Sequence, residues 1–259
     1  APVFNECECL PEFYKRIQAV MNSTHDTWEL LLVDDGSTDG STQIILELAQ
    51  KDNHVHPLIF ARNFGHQIAV TAGMDHACGE AVIVIDADLQ DPPEVILDLI
   101  DKWKEGYQVV YAVRRKREGE SWFKLTTASL FYRIVYRITD VKIPLDTGDF
   151  RLLDRQVVDA MGKMREHHRF LRGMGAWVGF RQVGVPYDRK ERFAGHSKYP
   201  LSKMMHLAIN AITGFSYFPL KLATYFGLIS VGLSIIILVL RLIFSSLFFG
   251  KATTLIIAL

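Results

Sequence analysis

The sequence predicts an α/β protein with a mostly parallel sheet and flanking helices, followed by an apolar C-terminal region. Short apolar runs alternate with helical patterns through much of the chain, which indicates βαβ units and a parallel sheet. The run that begins at Ala81 is short and uninterrupted, as expected of a strand buried on both faces. Leu222–Leu240 carries no charged residue and is long enough to cross a bilayer core of roughly 30 Å.

Apolar periodicity gives the predicted elements in chain order. We expect strands at Val3–Phe4, Leu30–Val33, Pro57–Phe60, Ala81–Ile85, Val109–Val113 and Val178–Pro186, with a further short strand near Arg151. We expect helices around Phe13–Val20 and at Thr42–Ala49, Gln67–His76, Val95–Trp103, Trp122–Ile138 and Asp154–Met164.

Carboxylates end the fourth predicted strand. Asp86 and Asp88 follow it directly, and the amide of Gln90 comes two residues later. Since the carboxyl ends of parallel strands face the ligand crevice, these oxygens could share one divalent cation. The alternative is that Asp86, Asp88 and Asp91 are loop and helix-capping residues. An EF-hand is excluded, because its loop requires Gly and Glu where this chain has Asp91 and Leu97.

Two further acidic segments are candidate binding positions. Leu30–Val33 runs into Asp34 and Asp35, and the glycines and hydroxyl residues after them are typical of a turn and a helix cap. A turn and a cap do not explain two consecutive acids, and a ribose or a base amide would be a natural partner for one of them. Asp149 lies between a glycine and an aromatic residue, and taken alone it is most simply a turn residue.

Composition and motif searches limit the functional class. Lys+Arg and Asp+Glu each number 29, so the net charge argues neither for nor against nucleic acid binding. Neither G-x-G-x-x-G nor G-x-x-x-x-G-K-[ST] occurs, which removes the main support for a dinucleotide-binding dehydrogenase and for a P-loop NTPase. The three cysteines show no zinc-site spacing and indicate a reducing, cytoplasm-facing compartment.

Basic residues are concentrated in two segments. Arg114–Arg117 precedes a predicted helix rich in aromatic residues, and the segment is either a solvated loop or an attachment to an anionic membrane surface. The later segment Tyr187–Lys203 has five basic residues against two acidic ones. Gly195 and Ser197 indicate that it forms a mobile loop, which could fold over phosphate.

The C-terminal part predicts association with a membrane. From Tyr199 onward, polar and apolar residues recur with the spacing of an amphipathic helix. Lys221 and Arg241 flank the predicted transmembrane helix Leu222–Leu240. We expect Leu242–Leu259 to be a loop or a continuation of the helix, and then the beginning of a second span.

Three regions result from these patterns. Residues 1–198 form the predicted globular domain, 199–218 an amphipathic interfacial helix, and 219–259 a transmembrane region. Basic residues before the span place the globular domain in the cytoplasm by the positive-inside tendency. The chain begins without Met and ends within an apolar run, so we expect both ends to be truncated.

Six short motifs occur along the chain: PVFNE (2–6), VDDGSTDGS (33–41), ARNFG (61–65), DADLQDPPE (86–94), GDFRLLDR (148–155) and AGHSKY (194–199). In this order they resemble the family 2 glycosyltransferases of the polyprenyl-phosphate type. That group includes dolichyl-phosphate mannose synthases and, closer because of the C-terminal spans, bacterial GtrB-like polyisoprenyl-phosphate glucosyltransferases. Each motif is modest, but the ordered set is specific. The resemblance implies a GT-A type, Rossmann-like fold.

The resemblance also implies roles for individual residues. The nucleotide would be bound by Pro2, Phe4, Glu6, Asp35 and Asp86, and Mg²⁺ or Mn²⁺ by Asp86, Asp88 and Gln90. Phosphate groups would be bound by Arg114, Arg151, Arg192, Ser197 and Lys198. Asp149 falls where inverting members of the fold carry their catalytic carboxylate, and Asp88 is the second catalytic candidate. Cys7 and Cys9 depart from the family, where acidic or polar residues are common.

The activity implied by the resemblance is inverting transfer of a sugar to a polyprenyl phosphate such as undecaprenyl phosphate. UDP-glucose is the first choice of donor and GDP-mannose the alternative. The implied partners are the nucleotide sugar, the lipid and the membrane, with no nucleic acid, and a homo-oligomer is compatible with paired spans. The implied location is the bacterial inner membrane, with the catalytic domain facing the cytoplasm.

Two other functions are weaker on the same sequence. A processive polysaccharide synthase would need a Q-x-x-R-W signature, and the nearest segment, Arg169–Gly173, lacks both Gln and Trp. A membrane-anchored scaffold with a degenerate transferase fold would not need intact acidic motifs. Asp86, Asp88, Asp149 and Lys198 are all present, which argues against the scaffold.

Overall fold

The computed structural model describes residues 1–115, 147–164, 170–189 and 217–257. Its strands are β1 (Pro2–Val3), β2 (Leu30–Asp34), β3 (Val55–Ile59), β4 (Ala81–Val84), β5 (Val109–Arg114), β6 (Thr147–Asp154) and β7 (Gln182–Tyr187). Its helices are α1 (Leu10–Thr24), α2 (Ser41–Lys51), α3 (His66–His76), α4 (Val95–Lys104), α5 (Arg155–Gly162), α6 (Leu171–Trp177) and α7 (Phe218–Ile257). The predicted helix Trp122–Ile138 and the amphipathic helix 199–218 fall mainly on residues outside these ranges, and they stay predictions.

The described strands form two sheets that are mostly parallel, as predicted. The first has the order β1-β2-β3 with parallel pairing throughout. The second has the order β4-β6-β5-β7, and within it β5 and β7 are parallel. The expectation of parallel pairing is wrong for β6, which runs antiparallel to both β4 and β5. Seven of its eight residues are buried although only Phe150, Leu152 and Leu153 are apolar, so β6 lies in the core without the continuous apolar run that is typical of a parallel strand.

Helices cover the second sheet on both faces. Successive side chains of a strand point to opposite faces, and here Leu152 and Leu153 of β6 enter different hydrophobic clusters. Val110 and Val109 of β5 divide in the same way. One cluster includes residues of α1, α2 and α4, and the other includes residues of α3, α5 and α6. The buried strands predicted from sequence are therefore confirmed for this sheet.

Several boundaries differ from the prediction for identifiable reasons. β3 begins at Val55 and contains Pro57, which is tolerated because β3 is an edge strand in the described sheet. The predicted strand Val178–Pro186 is wrong in its first part, because β7 starts only at Gln182. Helix α6 was not predicted, since two of its seven residues are glycines.

A tight turn after β2 brings two loops into backbone contact. Gly36 has a φ of 72°, in the left-handed region that favours glycine. A Cβ atom at Gly36 would lie 2.6 Å from the carbonyl carbon of Arg62 and 2.7 Å from the backbone nitrogen of Asn63. The VDDGSTDGS and ARNFG motifs thus pack main chain against main chain.

The C-terminal residues Ser216–Leu259 form a compact unit separate from Ala1–Phe215. Of the alternatives for the residues after 241, the structure has helix continuation, because α7 runs unbroken to Ile257. Within the described residues, one segment is long and apolar enough to cross a membrane: Leu220–Phe244, with a mean hydropathy of 2.5. The start of a second span stays a prediction.

The contact at Gly36 predicts a difference between two glycine substitutions. Gly40 also has a positive φ, of 96°, but a Cβ there would meet nothing within 4 Å. Gly40→Ala should therefore lower the free energy of unfolding by only about 1–2 kcal/mol, the cost of placing alanine in a left-handed backbone conformation. Gly36→Ala should cost about 1–3 kcal/mol more, because its methyl group overlaps the main chain. Denaturant unfolding of the two variants measures the difference, and equal losses would contradict the packing described.

Candidate active site

Strand direction brings Asp86 and Asp149 to the same edge of the second sheet. Val84 and Arg151 are the last paired residues between β4 and β6. Asp86 lies two residues after Val84, and Asp149 lies two residues before Arg151 on the antiparallel strand. Asp149, near the start of β6, and Asp86, after the end of β4, therefore lie at the same edge of the sheet.

The Asp149 carboxylate is buried and bonded on both oxygens. Arg172 donates from Nε to Oδ1 at 2.7 Å and from Nη2 to Oδ2 at 3.3 Å. Gln67 Nε2 donates to Oδ2 at 3.3 Å, and His66 Nε2 lies 3.0 Å from the same oxygen. Burial by itself would raise the pKa of Asp149, but Arg172 and His66 outweigh it and hold this pKa well below its usual range. Asp149 is therefore ionised at neutral pH.

His66 lies between the two carboxylates at the first position of α3. Besides its contact with Asp149, its Nε2 lies 3.8 Å from Oδ1 of Asp86. Burial lowers the pKa of His66, whereas Asp86 and Asp149 raise it, and the net result is a pKa of about 9. The imidazole is therefore cationic at neutral pH and neutralises part of the acidic edge.

Asp86 has the features of a cation ligand. Its Oδ1 atom is buried and has no hydrogen-bond partner among the described residues. Burial raises the pKa of Asp86 to about 6, with Asp149 and Asp88 adding to the shift and His66 opposing it. A buried carboxylate oxygen without a hydrogen bond is costly, and a hard divalent cation would satisfy it. Asp86 therefore fits a divalent metal.

The other two predicted metal ligands have partners within the protein. Asp88 is buried, and its Oδ1 accepts a hydrogen bond from the backbone nitrogen of Gln90 at 3.1 Å. Gln90 Oε1 accepts from Arg189 Nη2 at 2.9 Å. In the described ranges, no group of three or more His, Cys, Asp and Glu side chains has the arrangement of a complete metal site. The predicted set of two carboxylates and one amide stays a prediction.

The consecutive acids Asp34 and Asp35 have separate structural partners. Asp34 accepts hydrogen bonds from the backbone of Ser37 and from the hydroxyl of Thr42. Asp35 is buried and accepts from Asn63 Nδ2 at 2.9 Å and from the backbone nitrogens of Phe64 and Gly65 at 2.7 and 2.9 Å. Two acids at this strand end are thus explained without a ligand, by one turn and one neighbouring loop.

The other predicted nucleotide-binding residues lie at the start of the chain. Pro2 is within β1, paired with Val33, and Phe4 and Glu6 follow the end of that strand. The backbone nitrogen of Glu6 donates to Ser41 Oγ at 2.9 Å, which ties this loop to the start of α2. Since β1 and β2 are parallel, Phe4, Glu6 and Asp35 all follow strand carboxyl ends at one edge of the first sheet.

The two described arginines of the predicted phosphate set differ in their surroundings. Arg151 is buried and donates from Nη2 to the carbonyl oxygen of Gly148 at 3.0 Å and from Nε to that of Asp149 at 3.3 Å. Arg114 packs against Gly148, where a Cβ would lie 2.6 Å from its Nη2. Its Nε donates to the hydroxyl of Tyr187 at 3.4 Å. Arg192, Ser197 and Lys198 fall outside the described ranges.

Three residues of the site were not predicted from sequence: His66, Gln67 and Arg172. His66 and Gln67 directly follow the ARNFG motif at the start of α3, so their position was an available signal. In the sequence, Arg172 lies in the segment Arg169–Gly173, whose only signal is an incomplete Q-x-x-R-W signature. Its contact with Asp149 joins residues 23 positions apart, which sequence spacing alone does not reveal.

The fold and the acidic edge define a GT-A type domain, the Rossmann-like architecture of nucleotide-sugar transferases. Mannosyl-3-phosphoglycerate synthase from Rubrobacter xylanophilus is similar in structure, with a TM-score of 0.53 and 17% identity over 82% of this chain and 70% of that one. Glucosyl-3-phosphoglycerate synthase from Mycobacterium tuberculosis has a TM-score of 0.54 and 19% identity over 82% of this chain and 75% of that one. These likenesses concern the fold alone.

The chain belongs to glycosyl transferase family 2, whose sequence model matches residues 1–162. It is 44% identical to the bactoprenol glucosyl transferase of Shigella phage SfV, over 90% of this chain and 76% of that protein. This family membership confirms the resemblance inferred from the six motifs.

The environment of His66 predicts a pH-dependent stability. Because its folded pKa is raised from 6.5 to about 9, its contribution is fully present below pH 6.5 and is lost as the pH rises through about 9. In EDTA, the free energy of unfolding of the wild-type chain should fall by on the order of 1–3 kcal/mol relative to that of His66→Gln as the pH rises from 6.5 to about 9. Denaturant unfolding of both proteins at several pH values measures the difference. Parallel pH curves would show that His66 is not held as a cation.

Proposed function

We propose that this protein transfers a sugar from a nucleotide sugar to a polyprenyl phosphate at a membrane surface. The observation that carries the proposal is the meeting of Asp86, Asp88 and Asp149 near one sheet edge, with a buried oxygen on Asp86 that accepts no hydrogen bond from the described residues. Membership of glycosyl transferase family 2 and similarity to a protein named bactoprenol glucosyl transferase support the same reaction. UDP-glucose is the proposed donor, and GDP-mannose is the alternative.

The donor is proposed to bind along the carboxyl ends of both sheets. Pro2, Phe4, Glu6 and Asp35 would lie on the nucleotide side, with Asp35 acting mainly through the loop that it holds. A divalent cation held by Asp86 and Asp88 would neutralise negative charge on the diphosphate, which makes the nucleotide a better leaving group. Gln90 would join these ligands through Oε1 while it still accepts from Arg189, because an amide oxygen has two lone pairs.

The acceptor needs little help to become a nucleophile. A phosphate monoester has its second pKa near 6, so the lipid phosphate is largely anionic at neutral pH. One of its oxygens attacks C1 of the sugar, and the bond from C1 to the diphosphate oxygen breaks with its electron pair leaving on the nucleotide. Direct displacement inverts C1 and gives a β-linked product from an α-linked donor.

Asp149 is proposed to act as a fixed negative charge and not as a proton acceptor. Both of its oxygens already accept hydrogen bonds, and Arg172 and His66 keep it ionised. A carboxylate held in this way stabilises positive charge that develops at C1 without reorganising during the reaction. Arg172 and His66 therefore serve as positioning residues, and Asp149 as the catalytic candidate.

Positive charge is needed where the two anionic substrates meet. Arg114 is the described candidate for a phosphate contact, and Arg192, Ser197 and Lys198 are candidates from the later basic segment. Arg151 is better suited to shaping the start of β6, because its guanidinium is buried against two backbone carbonyls. The apolar segment Leu220–Phe244 would anchor the protein in the bilayer that supplies the lipid acceptor.

Sugar transfer provides the direct test of this proposal. The detergent-purified chain should move labelled glucose from UDP-glucose to undecaprenyl phosphate, with a β anomer detectable by NMR. EDTA or Asp88→Asn should abolish transfer, whereas Asp98→Asn, at an exposed carboxylate on α4, should not. A product only with GDP-mannose would support the alternative donor. No product with any UDP- or GDP-sugar would favour a scaffold and defeat the proposal.

The bonds to Asp149 predict how its partners respond to substitution. Asp149→Asn keeps the size of the side chain but removes its charge, so turnover should fall by roughly 100-fold. Arg172→Lys keeps a positive charge but cannot reproduce two directed N–H bonds, so its turnover should fall by a smaller factor. The KM for the nucleotide sugar should change little in both variants. Wild-type turnover in Asp149→Asn would rule out the proposed role of this residue.

A further inference from the structure

The loop that carries the candidate metal ligands has a backbone that needs outside support. Leu89 lies between Asp88 and Gln90 with a φ of 60°, a left-handed conformation that is unfavourable for a residue with a branched side chain. Such conformations persist where the surrounding structure holds them in place. Leu89 itself is buried in the core, which fixes one side of the loop.

The end of β7 holds the other side of this loop. Asp91 is only 1% exposed and accepts a hydrogen bond from the hydroxyl of Tyr187, the last residue of β7. Arg189 Nε lies 3.4 Å from Oδ1 of Asp91, and Arg189 Nη2 donates to Gln90 Oε1 at 2.9 Å. Two residues near the end of one strand therefore bind the two residues that follow Leu89.

Tyr187 also contacts β5 and β6. The Tyr187 hydroxyl also accepts from Arg114 Nε at 3.4 Å, so donor and acceptor capacity are both used. The Tyr187 ring packs edge to face on Phe150, next to Asp149, with ring centroids 6.0 Å apart. Contacts from one tyrosine thus reach the loop after β4 and the start of β6.

We propose that Tyr187 and Arg189 are positioning residues for the carboxylate loop, residues 85–91. They hold Gln90 and Asp91 through their side chains, and through the backbone they keep Asp86 and Asp88 in the arrangement in which these carboxylates would bind a cation. This inference rests on the proposed function, because it assigns a task within the same site. Arg189 is one of the five basic residues of the segment Tyr187–Lys203, so a residue of that segment contacts the carboxylate loop directly.

The chain offers a matched pair of substitutions for the test. Tyr187→Phe removes one hydroxyl and keeps the ring against Phe150. Tyr14→Phe removes a hydroxyl that donates to Asp52 at 2.7 Å, in a pair that links α1 to the end of α2. Both variants lose a tyrosine–aspartate bond, but only Tyr187 contacts the carboxylate loop.

The experiment measures Mn²⁺ binding to the full chain in detergent, without donor or acceptor. Electron paramagnetic resonance detects the bound and free Mn²⁺. Tyr187→Phe should raise the Mn²⁺ dissociation constant by up to about 10-fold, the lower end of the effect of removing a direct partner of a metal ligand, because Tyr187 acts through Asp91 and the backbone. Tyr14→Phe should bind Mn²⁺ as the wild type does, even though both variants lower the unfolding temperature. The Mn²⁺ dissociation constant of Arg189→Lys should lie between those of Tyr187→Phe and Tyr14→Phe. Lysine keeps a positive charge beside Asp91 but cannot also make the hydrogen bond to Gln90.

The outcomes separate this inference from the proposed function. Saturable Mn²⁺ binding by the wild type that is lost in Asp88→Asn establishes the site. If Tyr187→Phe then binds Mn²⁺ with wild-type affinity, the positioning role is overturned while the proposed function stands. If Tyr14→Phe weakens binding as much as Tyr187→Phe, the effect is a general loss of stability and the inference is again overturned. Absence of Mn²⁺ binding in the wild type would overturn this inference, whereas the proposed function would still be decided by sugar transfer.

Discussion

Burial of the ionised Asp149 carboxylate is the constraint on which the rest of the site depends. An ionised carboxylate removed from water costs several kcal/mol unless charges and hydrogen bonds compensate it. Here the compensation comes from α3 through His66 and Gln67, and from α6 through Arg172. These elements are far apart in sequence, so the charge is stabilised only when the helices have packed around β6. Folding of this face and construction of the site are therefore the same event.

Local patterns were sufficient to predict most of the elements but not the pairing of β6. The apolar run at Ala81 and the spacing of Phe13, Ile17 and Val20 lead directly to β4 and to the buried face of α1. β6 is at least as buried although only three of its eight residues are apolar, and nothing in its composition shows that it runs antiparallel between β4 and β5. Strand direction decides where Asp149 lies. From its local sequence Asp149 resembled a turn residue, and before the topology was known only the family resemblance made it a candidate for the site.

The acids after β2 show the opposite limit of sequence reasoning. Two consecutive carboxylates at a strand end suggested a bound ribose or base, since a turn and a helix cap require only one acid. The second acid, Asp35, holds the loop of Asn63–Gly65, and Gly36 packs against the backbone of the same loop. The role of Asp35 in nucleotide binding stays a prediction. Contacts between loops that are about 30 residues apart leave no local signature. The contacts of Asp35 and Gly36 thereby fix the loop that leads into His66.

The carboxylate loop carries three acidic residues whose roles sequence spacing alone could not distinguish. Asp86, Asp88 and Asp91 are all compatible with metal binding or with capping when only their spacing is known. In the structure Asp91 is bonded to Tyr187 and paired with Arg189, so its charge is already compensated. Asp86 instead retains a buried oxygen whose nearest charged partner given by the structure is His66 at 3.8 Å. A bound cation would therefore be stabilised more by Asp86 than by Asp91. We infer that Asp91 instead keeps the loop in the conformation that positions Asp86.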